Sequence, residues 1–207
     1  MTPMSVDAAA TALYVCLPGQ LEAQHVALAL TRLRAEFGQI VLVVPPEDAA
    51  RAPLVLARTA PDHILSHGGR QTSRAGMRHG LRWLLDRGAA GGPFLLTGAH
   101  VFAPILQDCP AGPADVQAPY WHRPDLDSRL AGRDLPQRVP SLDHTLLSPR
   151  VLNHPGFMAF LDSFDPGGDH WEEFLDCDVA FAAWLEGAGL SVAYPMDAAT
   201  LETGDPS

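Results

Sequence analysis

Short apolar runs alternate with helical periodicity along the first half of the chain. The first run covers residues 12–17 (ALYVCL), and apolar positions then recur at mostly helical spacing over 20–37, before Gly38. Further runs follow at 40–46, 62–67 and 94–96, with helical segments at 47–59 and 73–87. Uninterrupted apolar strands separated by helices are typical of a parallel sheet buried on both faces. The pattern predicts an α/β fold with a mostly parallel sheet.

The second half has a less regular pattern. Between Asp108 and Pro140 the periodicity gives way to prolines, Asp and Arg residues and the cluster YWHRPDLDSR. A stretch of this length without clear elements is typical of a functional loop or lid. The pattern then predicts a strand at 141–148, a short or broken helix at 149–164, a long helix at 170–190 and a last strand at 190–195.

Length, composition and charge limit the kinds of protein that this sequence can encode. The chain has 207 residues, of which 47% are hydrophobic, enough for one sizeable domain with a buried core. The formal net charge of −10 argues against nucleic acid or an anionic membrane as a partner. All 14 basic residues are Arg, which excludes a P-loop lysine and a Schiff-base lysine.

The cysteines and apolar runs bear on the compartment. Cys16, Cys109 and Cys177 are odd in number and far apart, without the spacing of a disulfide framework or a zinc site. The first residues lack the basic region of a signal peptide, and no apolar run reaches the roughly 18–20 residues of a membrane span. We expect a soluble protein in a reducing cytoplasm.

Several common catalytic motifs are absent from the sequence. There is no HExxH, which disfavours a hydrolytic zinc site, and no GxSxG elbow of an α/β-hydrolase. The stretch GGRQTSRAG differs from the GxGxxG dinucleotide fingerprint. A methyltransferase with a divergent cofactor loop stays open as one alternative.

Three stretches resemble the rhamnan-synthesis-type glycosyltransferases, a GT-A-like branch of the sugar transferases. SHGGRQTSRAGMRHGLRWLL at 66–85 is similar to the family's Asn-x-Gly-x-Asp segment and the helix after it. LLTGAHVFAPIL at 95–106 resembles its strand, Asn-Asp-Ser turn and exit. The third stretch runs from SLDHTLLSPRVLNHPGFMAFLDSF to the helix DVAFAAWLEGAGL, where Asp178 matches the family's acid.

The resemblance implies a single-domain GT-A-like (Rossmann-like) fold over 1–207. Its parts would be a nucleotide-sugar-binding half at about 11–107, a loop or lid at 108–140, an acceptor-side half at 141–195 and a tail at 196–207. The chain departs from the family at the positions that would bind donor and metal. His67 replaces Asn, Gln71 or Ser73 replaces Asp, and Gly98-Ala99-His100 replaces Asn-Asp-Ser.

Sugar transfer requires stabilisation of the departing diphosphate. Glycines, arginines and a helix N-terminus between 67 and 74 suit a phosphate, and His100 could donate to it or bind a metal in place of the missing acid. An ordinary strand-to-helix turn and a hydrogen-bonded structural histidine are the alternatives. The predicted donor-binding residues are His67, Gly69, Arg70, Thr97 and His100.

Transfer also requires a base for the acceptor hydroxyl. Asp143, His144 and Asp178 are the candidates. Adjacent residues of a strand point to opposite faces, so Asp143 and His144 cannot both face one pocket, and one of them is structural. An exposed helix acid is the alternative for Asp178.

Tyr120, Trp121 and His122 form an aromatic cluster in the proline-rich stretch. Aromatic faces bind sugar rings and bases well, although burial of such rings also anchors loops. Asp115 stands near the place of an acid that follows the family's metal turn. These four residues are the predicted acceptor contacts.

The combined interpretation is transfer of a sugar from a nucleotide-sugar donor to a glycan acceptor in bacterial surface-polysaccharide assembly. Because the metal-binding acid is missing, transfer would be metal-independent or use His100, and a need for Mn²⁺ or Mg²⁺ is doubtful. Association with polysaccharide-assembly proteins is a further expectation. The rival hypotheses are a catalytically inactive protein that binds nucleotide, glycan or a partner, and the methyltransferase.

Overall fold

The structure is a computed structural model. It describes residues 10–57, 59, 61–68, 72–88, 91–98, 113–123, 132, 135–142, 144–163 and 170–194, with the backbone alone at 98 and 170–175. None of the helices in this part of the chain is long and apolar enough to cross a membrane.

The elements follow the predicted alternation. In chain order they are β1 (Thr11–Val15), α1 (Gln24–Glu36), β2 (Gln39–Val44), α2 (Pro46–Ala49), α3 (Ala52–Val55), β3 (His63–Ser66), α4 (Ser73–Leu85), β4 (Phe94–Gly98), β5 (Val116–Gln117), β6 (Trp121–His122), β7 (Val139–Pro140), β8 (Thr145–Leu147), α5 (Pro149–Leu152), α6 (Phe157–Asp162), α7 (His170–Gly187) and β9 (Val192–Ala193).

Seven of the strands form one sheet in the order β3-β2-β1-β4-β8-β5-β9. The strands β1 to β4 are parallel, and β9 is parallel to β5. Strand β8 runs antiparallel to its neighbours β4 and β5. The predicted fold class, an α/β fold with a mostly parallel sheet flanked by helices, is confirmed. The strands β6 and β7 pair separately as an antiparallel ribbon.

The sheet is buried on both faces, as its uninterrupted apolar strands predict. Side chains alternate along β1, so Leu13 and Val15 belong to one apolar core and Ala12 and Tyr14 to the other. Helices α4, α6 and α7 contribute to the first core, and α1 covers the second with Val26, Leu30 and Leu33. The first core also contains the stacked rings of Phe160, Phe181 and Trp184.

Two glycines allow α4 to lie close to the sheet. A Cβ at Gly76 would stand 2.5 Å from Cγ1 of Val15, and one at Gly80 would stand 2.4 Å from Cδ1 of Leu13. Side chains at these positions would push the helix away from β1. The glycines therefore set the height of α4 above the sheet.

The structure differs from the predicted pattern mainly in the proline-rich stretch. Strand β5 lies within 108–140 and pairs with both β8 and β9. It has two residues in the sheet, too few for any periodicity to show. The predicted helix at 47–59 is replaced by the two single-turn helices α2 and α3, each with a proline in its first turn.

Candidate functional site

The carboxyl ends of β1 and β4 mark the point where the strand order of the sheet reverses, and the term crevice refers to this point. From β1 the chain builds outward to β2 and β3, and then returns to place β4 on the other side of β1. Ligands of open α/β sheets bind where the strand order reverses in this way. The register pairs Val15 with Gly98 at this point, and Gly76 brings the first turns of α4 over Val15.

The N-terminus of α4 therefore faces the crevice. Thr72 is the N-cap, and its hydroxyl accepts a hydrogen bond from the Ala75 amide at 3.2 Å. The Ser73 side chain is 1% exposed, and its hydroxyl has no hydrogen-bond partner among the described residues. A helix N-terminus carries partial positive charge and amide donors, which suit an anion.

A buried polar network lies beside this helix end. The Asp178 side chain on α7 accepts a hydrogen bond at Oδ1 from Nη2 of Arg74 at 2.7 Å, and another from the Leu142 amide at 3.1 Å. Its Oδ2 lies 2.8 Å from Nε2 of His122 on β6. Arg74 is 2% exposed, Asp178 0% and His122 20%.

The burial of these groups defines what they can do. A buried ion pair is retained only with good geometry and further hydrogen bonds, because desolvation is costly. Here the carboxylate is held by a guanidinium, an amide and an imidazole, so Asp178 has no surface for a ligand. The partly exposed His122 is the group of this network that reaches solvent.

His144 is a predicted base that the structure places at the start of β8. Its backbone adopts φ of 63°, the left-handed region, which is uncommon outside glycine. The side chain is fully buried, and its ring lies 5.7 Å from that of Tyr120, centroid to centroid. His144 thus packs inside the protein at the turn into β8. Its neighbour Asp143 lies outside the described residues.

Thr97 lies at the crevice but faces the α1 side of the sheet. It is buried and registers with Tyr14, whose hydroxyl is buried without a hydrogen-bond partner in the described part of the chain. Burial, and to a lesser degree Cys16, raises the pKa of Tyr14. Burial and then the nearby Asp48 raise the pKa of Cys16 to about 12. Polar groups thus line both faces of the sheet at this edge.

His67 lies farther along the same edge. It follows β3, and β2 and β1 separate β3 from β4. Its ring is 5.3 Å from that of His79 on α4, centroid to centroid, and both residues are half-buried. Three other predicted donor residues, Gly69, Arg70 and His100, lie outside the described residues.

Acid is expected to destabilise the fold through His79. Burial, and then charge on His67, lower the pKa of His79 below its usual 6.5. The His79 imidazole therefore binds a proton more readily in the unfolded chain than in the folded protein. The stability that neutral His79 contributes is fully present above pH 6.5 and is lost as the pH falls through its lowered folded-state pKa. Urea unfolding from about pH 8 to about pH 5 should show a shallower acid loss in His79→Gln than in wild type. Superimposable profiles would contradict this role.

Asp115 lies at the opposite edge of the sheet from the crevice. It precedes β5, and its Oδ2 accepts hydrogen bonds from the amide and hydroxyl of Ser191, both at 2.9 Å, and from Arg150 at 3.0 Å. Burial alone would raise the pKa of Asp115, but the Ser191 bonds and Arg150 lower it. The carboxylate ties the starts of β5 and β9 together, away from the crevice.

Trp121 and His122 are neighbours in β6, and their side chains lie in different surroundings. The His122 ring contacts Asp178, while the Trp121 ring lies 5.6 Å from that of Tyr194. The Arg138 guanidinium lies 5.2 Å from the Trp121 centroid and 5.3 Å from the Tyr194 centroid. The predicted aromatic cluster is therefore divided, with Tyr120 packed on His144.

Of the predicted site residues, the structure brings Asp178 and His122 into contact. Sequence reasoning placed Arg74 only among the arginines that suit a phosphate, and it missed both the pairing of Arg74 with Asp178 and the Leu142 amide. The only local signal for Arg74 is its place in the first turn of α4 after an N-cap threonine. Within the described ranges, no group of three or more His, Cys, Asp or Glu side chains could hold a metal ion.

No protein-family model matches the chain, and no curated protein matches it in sequence. The chain resembles the crystal structure of a 4-diphosphocytidyl-2C-methyl-D-erythritol synthase with 17% identity and a TM-score of 0.48, covering 93% of this chain and 97% of that one. It also resembles a protein assigned as a nucleotide-diphospho-sugar transferase from Desulfovibrio desulfuricans G20, with 14% identity and a TM-score of 0.45, covering 89% of this chain and 78% of that one. A 4-diphosphocytidyl-2C-methyl-D-erythritol synthase from Anaerococcus prevotii DSM 20548 is similar with 13% identity and a TM-score of 0.45, covering 87% of this chain and 100% of that one. Likenesses this distant carry no weight for activity.

Proposed function

We propose that this chain is a GT-A-like sugar transferase that binds a nucleotide-sugar donor in the crevice between β1 and β4. One observation carries the proposal. The N-terminus of α4 lies over the switch point of the sheet beside a charged network, and its buried Ser73 hydroxyl has no hydrogen-bond partner in the described part of the chain. A diphosphate is the part of a nucleotide sugar that such a helix end suits.

The departing diphosphate would be stabilised by the amides at the start of α4. Gly69 and Arg70 precede this helix and remain proposed donor contacts, and so does His67 at the same edge. Thr97 lies at this edge too, but it is buried on the α1 face of the sheet and would act only by shaping the end of β4. Fixed dipoles of this kind stabilise charge that develops in the transition state.

The described residues of the crevice do not fit a divalent metal. Both oxygens of Asp178 are engaged by protein groups, and the end of β4 offers Thr97-Gly98 rather than a carboxylate. Divalent cations such as Mg²⁺ prefer carboxylate and other oxygen ligands. The proposed transfer therefore uses no metal ion held by these residues. His100 stays proposed either as a hydrogen-bond donor to the diphosphate or as a metal ligand.

The acceptor is proposed to be a hydroxyl of a glycan. Tyr120 is 38% exposed and could receive a sugar ring, and Trp121 is half-buried nearby in the chain. We place the reaction in bacterial surface-polysaccharide assembly in the cytoplasm, with association to other proteins of that assembly. These assignments come from the sequence resemblance.

The test is thermal shift with UDP-, GDP- and dTDP-sugars, with and without Mn²⁺, followed by assays of donor hydrolysis and transfer. We expect stabilisation by one nucleotide sugar, equal with and without metal, and slow donor hydrolysis. Free sugars and S-adenosylmethionine serve as matched ligand controls. A shift with S-adenosylmethionine alone would support the methyltransferase, and no shift with any nucleotide sugar would refute the proposal.

The second candidate is a protein that binds the donor without turning it over. The observation that favours it is the burial of Arg74, whose guanidinium is bound to Asp178 rather than open to a diphosphate. Stabilisation by a nucleotide sugar with no hydrolysis or transfer would identify this binder.

A further inference from the structure

We infer that His122 takes the proton from the acceptor hydroxyl, and that Asp178 and Arg74 are positioning residues that hold His122 in place. This inference rests on the proposed sugar transfer. It reassigns the proton-accepting role from Asp178, the predicted base, to a residue predicted only as an acceptor contact.

Asp178 itself cannot touch an acceptor. Its side chain is 0% exposed, and each of its oxygens already receives a hydrogen-bond donor from the protein. A base must lie within hydrogen-bonding reach of the proton that it takes. His122 is 20% exposed and contacts the carboxylate from the solvent side.

The contact with Asp178 decides which ring nitrogen of His122 can act. A carboxylate accepts but does not donate, so the neutral imidazole carries its proton on Nε2, the atom 2.8 Å from Asp178. The lone pair is then on Nδ1. This nitrogen is the one that can receive a proton.

The network keeps the Asp178 carboxylate against the ring that takes the proton. The Arg74 guanidinium stays protonated and balances Asp178, so the pair is neutral while His122 is neutral. When His122 takes a proton, its positive charge lies against the Asp178 carboxylate. Arg74 and the Leu142 amide hold that carboxylate in place, and β7, the partner of β6, packs on α7.

The acceptor oxygen forms a bond to the anomeric carbon of the donor, and its proton moves to Nδ1 of His122. The bond from the anomeric carbon to the diphosphate breaks, and the diphosphate leaves with the electron pair. The proton later passes from His122 to water.

The first test is His122→Ala, assayed with the donor that the wild type turns over. We expect kcat to fall by about 10²–10⁴-fold with little change in the donor KM, because a general base contributes about that much. Added imidazole should restore part of kcat. The matched control is His63→Ala. His63 is a half-buried histidine on β3 whose ring lies beside that of Trp83 on α4, and this variant should keep wild-type kinetics.

The second test addresses Asp178 without leaving Arg74 unpaired. The double variant Arg74→Met/Asp178→Asn should lose a similar factor of kcat, and imidazole should not restore it while His122 is present. Adding His122→Ala to it should cost little more, because residues that act as a unit are non-additive. A purely structural role would instead give additive losses.

The outcomes separate the two levels of the proposal. Turnover by the wild type with unchanged kcat in His122→Ala would overturn the role of His122 and leave the sugar transfer standing. Loss of kcat without rescue by imidazole, together with a lower melting temperature, would also overturn it. Absence of turnover by the wild type would refute the transfer and this inference together.

Discussion

Arg74→Met is expected to lower the free energy of unfolding by about 3–5 kcal/mol, because it leaves the Asp178 carboxylate buried without its counter-charge. Arg74 and Asp178 are 2% and 0% exposed, so water cannot replace the lost guanidinium. In a domain of this size that loss corresponds to a fall in melting temperature on the order of 10 °C. Urea unfolding and calorimetry measure the two quantities.

Arg82→Met is the matched control for this prediction. It makes the same substitution on the same helix, and Arg82 pairs with Asp162 at the surface, where the two side chains are 43% and 46% exposed. Exposed pairs contribute about 0–1 kcal/mol, so this variant should unfold nearly as the wild type does. Equal losses in the two variants would show that burial of the Arg74 pair has no special cost.

The double variant Arg74→Met/Asp178→Leu should recover much of the stability that Arg74→Met loses. Removing both charges abolishes the desolvation cost, and apolar replacements of buried ion pairs are often neutral or stabilising. It also removes the hydrogen bonds to Leu142 and His122. Recovery of stability without recovery of sugar transfer would separate folding from the proposed chemistry.

Gly80→Ala is expected to destabilise the fold by up to about 2 kcal/mol. Overpacking of a core costs about 1–3 kcal/mol, and alanine returns about 1 kcal/mol of helix propensity. The added Cβ would stand 2.4 and 2.9 Å from the two Cδ atoms of Leu13 and 3.0 Å from Cγ2 of Val43, all buried. Equilibrium unfolding in urea measures the change.

Gly187→Ala is the control in which the same substitution should not lower the free energy of unfolding. Gly187 is exposed at the end of α7, and a Cβ there would meet nothing within 4 Å. This variant should be neutral or more stable, by at most about 1 kcal/mol. A Gly80→Ala protein as stable as Gly187→Ala would mean that Leu13 moves aside without cost. Shortening that side chain with Leu13→Val should reduce the cost of Gly80→Ala.

The parallel half of the fold could be predicted because most of its strands are long enough to be recognised as apolar runs in the sequence. The strands β1, β2 and β4 are apolar runs of five or six residues, each bounded by a helix with one apolar face. Strand β5 has two residues, too few to show a period, whereas β9, also of two residues, lies within the strand predicted at 190–195. The antiparallel direction of β8 was also hidden, because the apolar pattern of a three-residue strand is the same in either direction.

The candidate site could be predicted only in part, because its members are far apart in the chain. Asp178 and His122 were singled out, but nothing near Arg74 in sequence points to Asp178. The position of Asp115 depends on β5: once that strand is known, a residue preceding it belongs to the edge opposite the crevice. The sequence shows neither the left-handed backbone of His144 at the entry to β8 nor the burial of its side chain.

The ion pair in the crevice joins residues that are 104 positions apart. On the ribosome, β1 to β4 and α4 therefore emerge well before α7 has been translated. Until then Arg74 is hydrated, and the apolar face that α7 will cover is open. Nascent chains stalled before residue 178 would display that face to chaperones and proteases, and translation speed across the second half would decide how long they do so.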